Sequence, residues 1–286
     1  MLALIAGLAL FHDPLHVQGN RLMEDGVDVH LRGAVAPGLE SSEEGKNLYR
    51  TCRVLLEDWH ANCVELPISQ DRWLGKVAGQ KNRGDDYKHE VDDIVNLLSR
   101  RKQYLIIQLA WSDAGAWGKN LAPHSAPDQN SLDFWKNLAH RYKGVEHVMF
   151  HLYGPSNVPL DIWQNGGDVE EGAFHYKSPG LQKLMAGIRS VGAKNVILVS
   201  PTDVLSPGAP SLSDSLGYCT VISVGPAHSG PDQCIVQDVS ASAPLTPGIS
   251  NWIAETMLPG VDSSLISDWA YTPTPWGQSV KDAMAR

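Results

Sequence analysis

Short apolar runs of strand length alternate along this chain with amphipathic stretches of helix length, an order that few folds accept. Strands are expected over 29–35, 63–68, 104–109, 148–153, 195–200, 220–224, 235–239 and 265–269. A helix is expected over 43–60, where Leu48, Cys52, Leu55, Leu56 and Trp59 share one face. Another is expected over 87–101, where Val91, Ile94, Val95 and Leu98 turn inward, with more over 131–142, 181–191 and 249–257 and a last one from Gln278. The later units are thinner: a Pro-rich loop and a short helix near 211–216 follow the fifth strand, and only a turn parts the sixth from the seventh. Eight strands so connected fit an α/β fold, the parallel eight-stranded (β/α)8 TIM barrel, which commonly takes 286 residues as one unit. The short N-terminal hairpin suggested by 15–22 would close its bottom.

Charge and composition exclude some partners. A net charge of −9 argues against nucleic acid, whose binding is driven by clustered Lys and Arg. The basic run Arg100-Arg101-Lys102 ends an expected helix, where positive charge suits the dipole. Cys52, Cys63, Cys219 and Cys234 show no CxxC and no metal-ligand spacing with His, so no metal is expected and free thiols are. If the protein is exported, Cys219 and Cys234 are the pair whose strands are neighbours. No nucleotide-cradling glycine motif and no cofactor signature is present. Residues 1–11 are apolar but too short to span a bilayer, so no membrane span is expected. They lack the charged start and cleavage site of a full signal. The division is therefore 1–14 as an apolar leader or signal remnant and 15–286 as one domain, with an extracellular or periplasmic location expected.

The landmarks, in order, are Val17-Gln18-Gly19-Asn20, Asp25-Gly26, Leu31-Arg32-Gly33, Asn62-Cys63-Val64-Glu65-Leu66-Pro67-Ile68, Phe134-Trp135 with Ala139-His140-Arg141-Tyr142, Val148-Met149-Phe150 and Ser267-Asp268-Trp269-Ala270. Together they resemble glycoside hydrolase family 5, the cellulase-like barrels. The resemblance implies hydrolysis of a β-linked polysaccharide by two carboxylates at strand C-termini, about 5–5.5 Å apart for a retaining enzyme. It also implies where the chemistry should sit. The Arg of the second strand falls at Glu65, and the His of the third at Ala110, before Trp111. In Phe150-His151-Leu152-Tyr153-Gly154-Pro155-Ser156 the Asn and the proton-donating Glu fall at Gly154 and Pro155. The His and Tyr of the sixth strand fall at Gly225 and Ala227, and the nucleophilic Glu at Asp238. Trp269 matches the sugar-platform Trp of the eighth strand. No Asn-Glu dipeptide occurs anywhere in the chain, so no small shift recovers the motif.

Asp is one methylene shorter than Glu, which withdraws its oxygens by up to about 1.5 Å. A misplacement of about 1 Å costs roughly 10²-fold in rate, and loss of the general acid removes about 10²–10⁴ more. The leading expectation is a catalytically inactive or severely impaired homologue that keeps a carbohydrate-binding groove at the C-terminal face. Trp269, Trp111 and Tyr153 would contact the glycan, with Asp238 as a polar contact. The alternative is an active glycosyl hydrolase with displaced chemistry, using Asp238 as nucleophile and Glu65 or a loop carboxylate as acid. A third is a protein-interaction barrel with a closed mouth, its partner unidentified by any segment. Glu65 is expected to pair with an Arg such as Arg32 or with backbone; a protonated Glu65, or a cation joining it to Asp238, are the other options.

Asp113, Asp203 and Asp268 are expected as turn or cap residues, and His124, His175 and His228 as solvated loop histidines. Of nine Trp, those at 59, 135 and 252 fall in helical patterns and should pack inward; those at 117, 163 and 276 fall in loops that would rim a mouth. No Gly-x-Ser-x-Gly elbow marks a nucleophilic serine.

Overall fold

The computed structural model describes residues 12–40, 45–77, 79–111, 124–154, 158–172, 174–200, 212–217, 219–224, 235–245 and 249–286. Eight parallel strands close into a barrel: Arg32–Val35, Cys63–Ser69, Tyr104–Trp111, Val148–His151, Ile197–Val199, Cys219–Val224, Ile235–Val239 and Trp252–Ala254. The eighth closes on the first through Trp252↔Arg32, Ile253↔Gly33 and Ala254↔Ala34.

That last strand corrects the sequence reading, which put a helix over 249–257 and the eighth strand over 265–269. Trp252, Ile253 and Ala254 are all buried, as expected of a parallel strand covered on both faces. A fully apolar run so short has no period that separates strand from helix. Residues 265–269 form a loop, in which Ile266 bridges Pro273 and Leu265 N–H donates to the Thr256 carbonyl.

Two cores follow from the pleat, because alternate residues of each strand face opposite sides. Leu31, Cys63, Tyr104, Ile106, Met149, Val196, Leu198, Val236 and Ile253 fill the barrel interior. The residues between them, such as Ala34, Val64, Leu105, Phe150, Ile197 and Ala254, meet the outer helices in a second, larger cluster. Gly33 is required where the first two strands approach: a Cβ there would lie 2.4 Å from the Cys63 carbonyl oxygen.

The helices are Leu48–Glu57, Gln70–Trp73, Asp85–Ser99, Gln129–Tyr142, Leu160–Asn165, Leu181–Ser190 and Pro275–Met284. The fourth starts at a capping box in which Asp128 accepts from Ser131 N–H while Ser131 Oγ accepts from Asp128 N–H, satisfying two donors that a helix start leaves open. Among the described residues no helix follows the fifth, sixth or seventh strand; the expected helix near 211–216 is not formed over 212–217, and 211 lies outside the described residues. No helix of the described residues is long and apolar enough to cross a membrane.

Three short antiparallel strands, His16–Gln18, Arg21–Glu24 and Val27–Val29, lie at the N-terminal end of the barrel. Asp25 and Gly26 turn the second into the third with φ of +50° and +74°, the left-handed pair that a two-residue hairpin turn needs. Leu15, Leu22 and Val29 of this cap pack into the interior cluster. The insertion after the fourth strand is also built: a hairpin of Gly167–Glu171 and Phe174–Ser178.

Candidate active site at the barrel mouth

The interior column of five strands repeats one pattern: an apolar residue of the inner core, then a polar residue two positions on. The pairs are Cys63 and Glu65, Met149 and His151, Leu198 and Ser200, Val236 and Asp238, Ile253 and Glu255. Ile106 and Gln108 repeat it on the third strand, where Gln108 is in register with His151. The two-residue period keeps each pair on one face, so the polar members ring the C-terminal end, where barrels of this kind carry their sites.

Three of them form a continuous hydrogen-bonded chain. His151 Nδ1 lies 2.7 Å from Glu65 Oε1, and His151 Nε2 lies 2.8 Å from Ser200 Oγ. A charged carboxylate only accepts, so the imidazole carries its proton on Nδ1 and offers Nε2 to the serine hydroxyl. All three are buried, Glu65 and His151 at 4 % and 2 % exposed and Ser200, the least deep of them, at 8 %. The partner of Glu65 is thus a histidine rather than Arg32. Arg32 lies between Leu31 and Gly33, and the pleat turns it to the other side of its strand.

Asp238 stands in the same ring. Burial pushes its carboxyl up to about 8, and the negative charges of Glu65 and Glu255 add to the shift. Its Oδ1 is buried without a hydrogen-bond partner among the described residues. Burial also raises Glu255 above the usual carboxylate range. Near neutral pH, Asp238 is therefore a neutral carboxylic acid, able to donate a hydrogen bond and poor as a nucleophile. Gly154 lies just past the fourth strand, and among the described residues a Cβ there would meet Gln108 Nε2 alone, at 4.0 Å. Pro155 lies outside the described residues.

The aromatic expectations fare less well. Trp269 is not on the eighth strand; it lies in the loop after it, edge-on to Tyr271, whose hydroxyl is hydrogen-bonded to Thr51 of the first helix. Tyr153 is 2 % exposed and its hydroxyl donates to the His124 carbonyl, so it anchors a loop rather than presenting a flat face. The Trp111 side chain lies outside the described residues, as do Trp117, Asp113, Asp203, His228, Gly225 and Ala227 and the side chains of Cys219 and Cys234. Trp59 and Trp135 are fully buried as expected; Trp252 is buried on a strand, and Trp163 is buried rather than at a rim. Asp268 caps its turn by accepting from the N–H groups of Ala270 and Thr272. His124 is not a solvated loop histidine: it bonds Glu171 at 3.0 Å and packs at a tilt against the Tyr176 ring. His175 is exposed. Cys52 and Cys63 are buried free thiols.

A closed parallel barrel with polar and titratable groups at its strand C-termini defines the (β/α)8 class. The sequence matches the profile described as Cellulase (glycosyl hydrolase family 5) over residues 27–203, more than half of the chain, and the chain belongs to that family. It is 23 % identical over 148 residues to endoglucanase A of Butyrivibrio fibrisolvens, covering 51 % of this chain and 33 % of that protein. The chain thus spans about a third of the length of that curated relative. Among solved structures, the catalytic domain of Thermobifida fusca endoglucanase Cel5A aligns with a TM-score of 0.68 and 12 % identity, over 96 % of this chain and 97 % of that one. The β-glucanase SdGluc5_26A of Saccharophagus degradans, solved in complex with cellotetraose, aligns with a TM-score of 0.65 and 15 % identity, over 96 % and 93 %. At such identities these likenesses speak for the fold.

Proposed function

We propose that this family 5 barrel binds a β-linked glycan at its mouth and does not hydrolyse it at a useful rate. The observation that carries the reading is the state of Asp238. The residue at the position of the nucleophile holds its proton near neutral pH, and the sequence positions of the Asn and the proton donor, Gly154 and Pro155, carry no titratable group. A neutral carboxylic acid does not attack an anomeric carbon, and hydrolysis needs a charged partner opposite a protonated one. The polar ring leaves donors and acceptors for sugar hydroxyls, and a barrel of the same fold has been solved with cellotetraose. Residues 15–286 act in this reading as one domain, exported to where glycans lie, with 1–14 as a leader.

Release of reducing ends from β-glucans and β-mannans, beside calorimetric titration with the matching oligosaccharides, tests it. Binding without release supports the proposal; release by the native chain that vanishes in Asp238→Asn overturns it. That second outcome would favour an active hydrolase with exchanged roles, Asp238 donating the proton and Glu65 receiving the sugar, a reading the raised Asp238 also supports. Neither binding nor release would leave an interaction barrel.

A further inference from the structure

We propose that Ser200, His151 and Glu65 form a centre for acyl transfer, with Ser200 Oγ as nucleophile toward a small carboxylic ester at the barrel mouth. The inference goes beyond the glycan reading and stands whether or not the mouth takes a sugar. It rests first on geometry. A nucleophilic hydroxyl needs a base within about 2.6–3.2 Å, and the base needs a third group that fixes its ring and tautomer. Both contacts are present, at 2.8 Å and 2.7 Å, in the order Ser200, His151, Glu65. Ser200 directly follows the fifth strand, and His151 and Glu65 lie on the fourth and second strands of the same closed sheet, so their spacing is held by the barrel itself. Ser200 terminates the relay at its least deep end, where an ester would arrive.

The surroundings suit the same chemistry. The residue after Ser200 is Pro201, which has no N–H, so the usual backbone donor beside the nucleophile is missing. Developing negative charge on the ester oxygen must then be met by side chains. Asp238, in the same ring, carries a proton near neutral pH and has a buried oxygen without a partner among the described residues. A neutral carboxylic acid in such a place donates a strong hydrogen bond to an oxyanion. Gln108 Nε2 faces the space above Gly154 and is the second available donor. The fourth and fifth strands stay paired up to the Leu152 N–H, which donates to the Leu198 carbonyl, so that space lies beside Ser200.

The reaction balances without a co-reactant other than water. Ser200 Oγ bonds to the acyl carbon as its proton passes to His151 Nε2. The carbon–oxygen bond to the alcohol then breaks, and Nε2 returns the proton to the departing oxygen. Water attacks the acyl-serine with its proton taken by Nε2, the serine–acyl bond breaks as Nε2 hands that proton to Ser200 Oγ, and the carboxylic acid leaves. Glu65 is a positioning residue: it keeps Nδ1 protonated and steadies the imidazolium.

The full chain is assayed with p-nitrophenyl acetate, and separately treated with a fluorophosphonate probe followed by peptide mass mapping. Saturable release of p-nitrophenol, probe mass on the peptide containing Ser200, and loss of both in Ser200→Ala are expected. Glu65→Gln is expected to lower kcat by about 10²–10⁴-fold with little change in KM, and to move the acidic limb of the pH profile to lower pH. A purely structural Glu65 would leave that limb in place. Probe mass on another residue, turnover that persists in Ser200→Ala, or a natively folded chain with neither turnover nor labelling overturns the proposal. The labelling map uses the unaltered protein, so it decides even if a variant fails to fold.

Discussion

His151 reaches across the third strand to Glu65: the two residues sit on the fourth and second strands, yet Nδ1 and Oε1 are 2.7 Å apart inside the barrel. With side chains only 3 % and 5 % exposed, the pair is largely withdrawn from bulk water. Such a pair is costly to break from one side, because the survivor keeps its desolvation cost without its partner. Glu65→Ala is expected to cost about 3–5 kcal/mol in urea unfolding, and Glu65→Leu with His151→Met to recover much of that. Equal losses in the single and double variants would show that the pair is not what the barrel depends on.

Asp238 sets a pH dependence of definite sign. Its carboxyl has an ordinary value of 3.8 when the chain is unfolded and about 8 when folded. The folded state therefore holds a proton that the unfolded state releases between those values. The resulting stability is complete below the lower value and declines as pH rises to the higher one, by at most about 1.4 kcal/mol per pH unit. The groups that act on this proton are Glu65 and Glu255 through their charge, with His151 bonded to the first. Thermal midpoints from pH 4 to 9 should fall more steeply in the native chain than in Asp238→Asn, and the variant should be the more stable at pH 8.5. Parallel curves would mean that Asp238 is ionised in the folded protein.

Gly33 and Gly154 are predicted to respond oppositely to a side chain. Gly33→Ala drives a methyl into the Cys63 carbonyl, 2.4 Å away, and should cost about 1–3 kcal/mol or more by forcing two strands apart. Gly154→Ala places a Cβ in ordinary contact with Gln108 alone among the described residues and should lie within about 0.5 kcal/mol of the native chain. Chemical denaturation of both variants checks this; a severe loss at Gly154 would show that the space above it is not open.

Legibility from sequence divides along physical lines. Seven of the eight strands are flanked by amphipathic helices, turns or polar loops and can be bounded by eye. The eighth could not be, because Trp252–Ala254 is short, buried on both faces and followed by Met257 at a helical interval. The site divides the same way. Glu65 and Asp238 stand in local motifs, whereas His151 and Ser200 lie 86 and 49 positions from the atoms they bond. No local motif spans such distances. The signal that would have found them is the period of two: a polar residue two positions after an inner-core residue, as in Met149 to His151 and Leu198 to Ser200. Trp269 shows the converse: its local pattern is that of a strand end, but the strand it follows, Trp252–Ala254, lies well before it in the chain.

The cap at the bottom has a consequence for traffic. Leu15, Leu22 and Val29 continue the inner core to the N-terminal rim, so the barrel is a blind well rather than a passage. Whatever reaches Ser200 or Asp238 must leave by the route it entered.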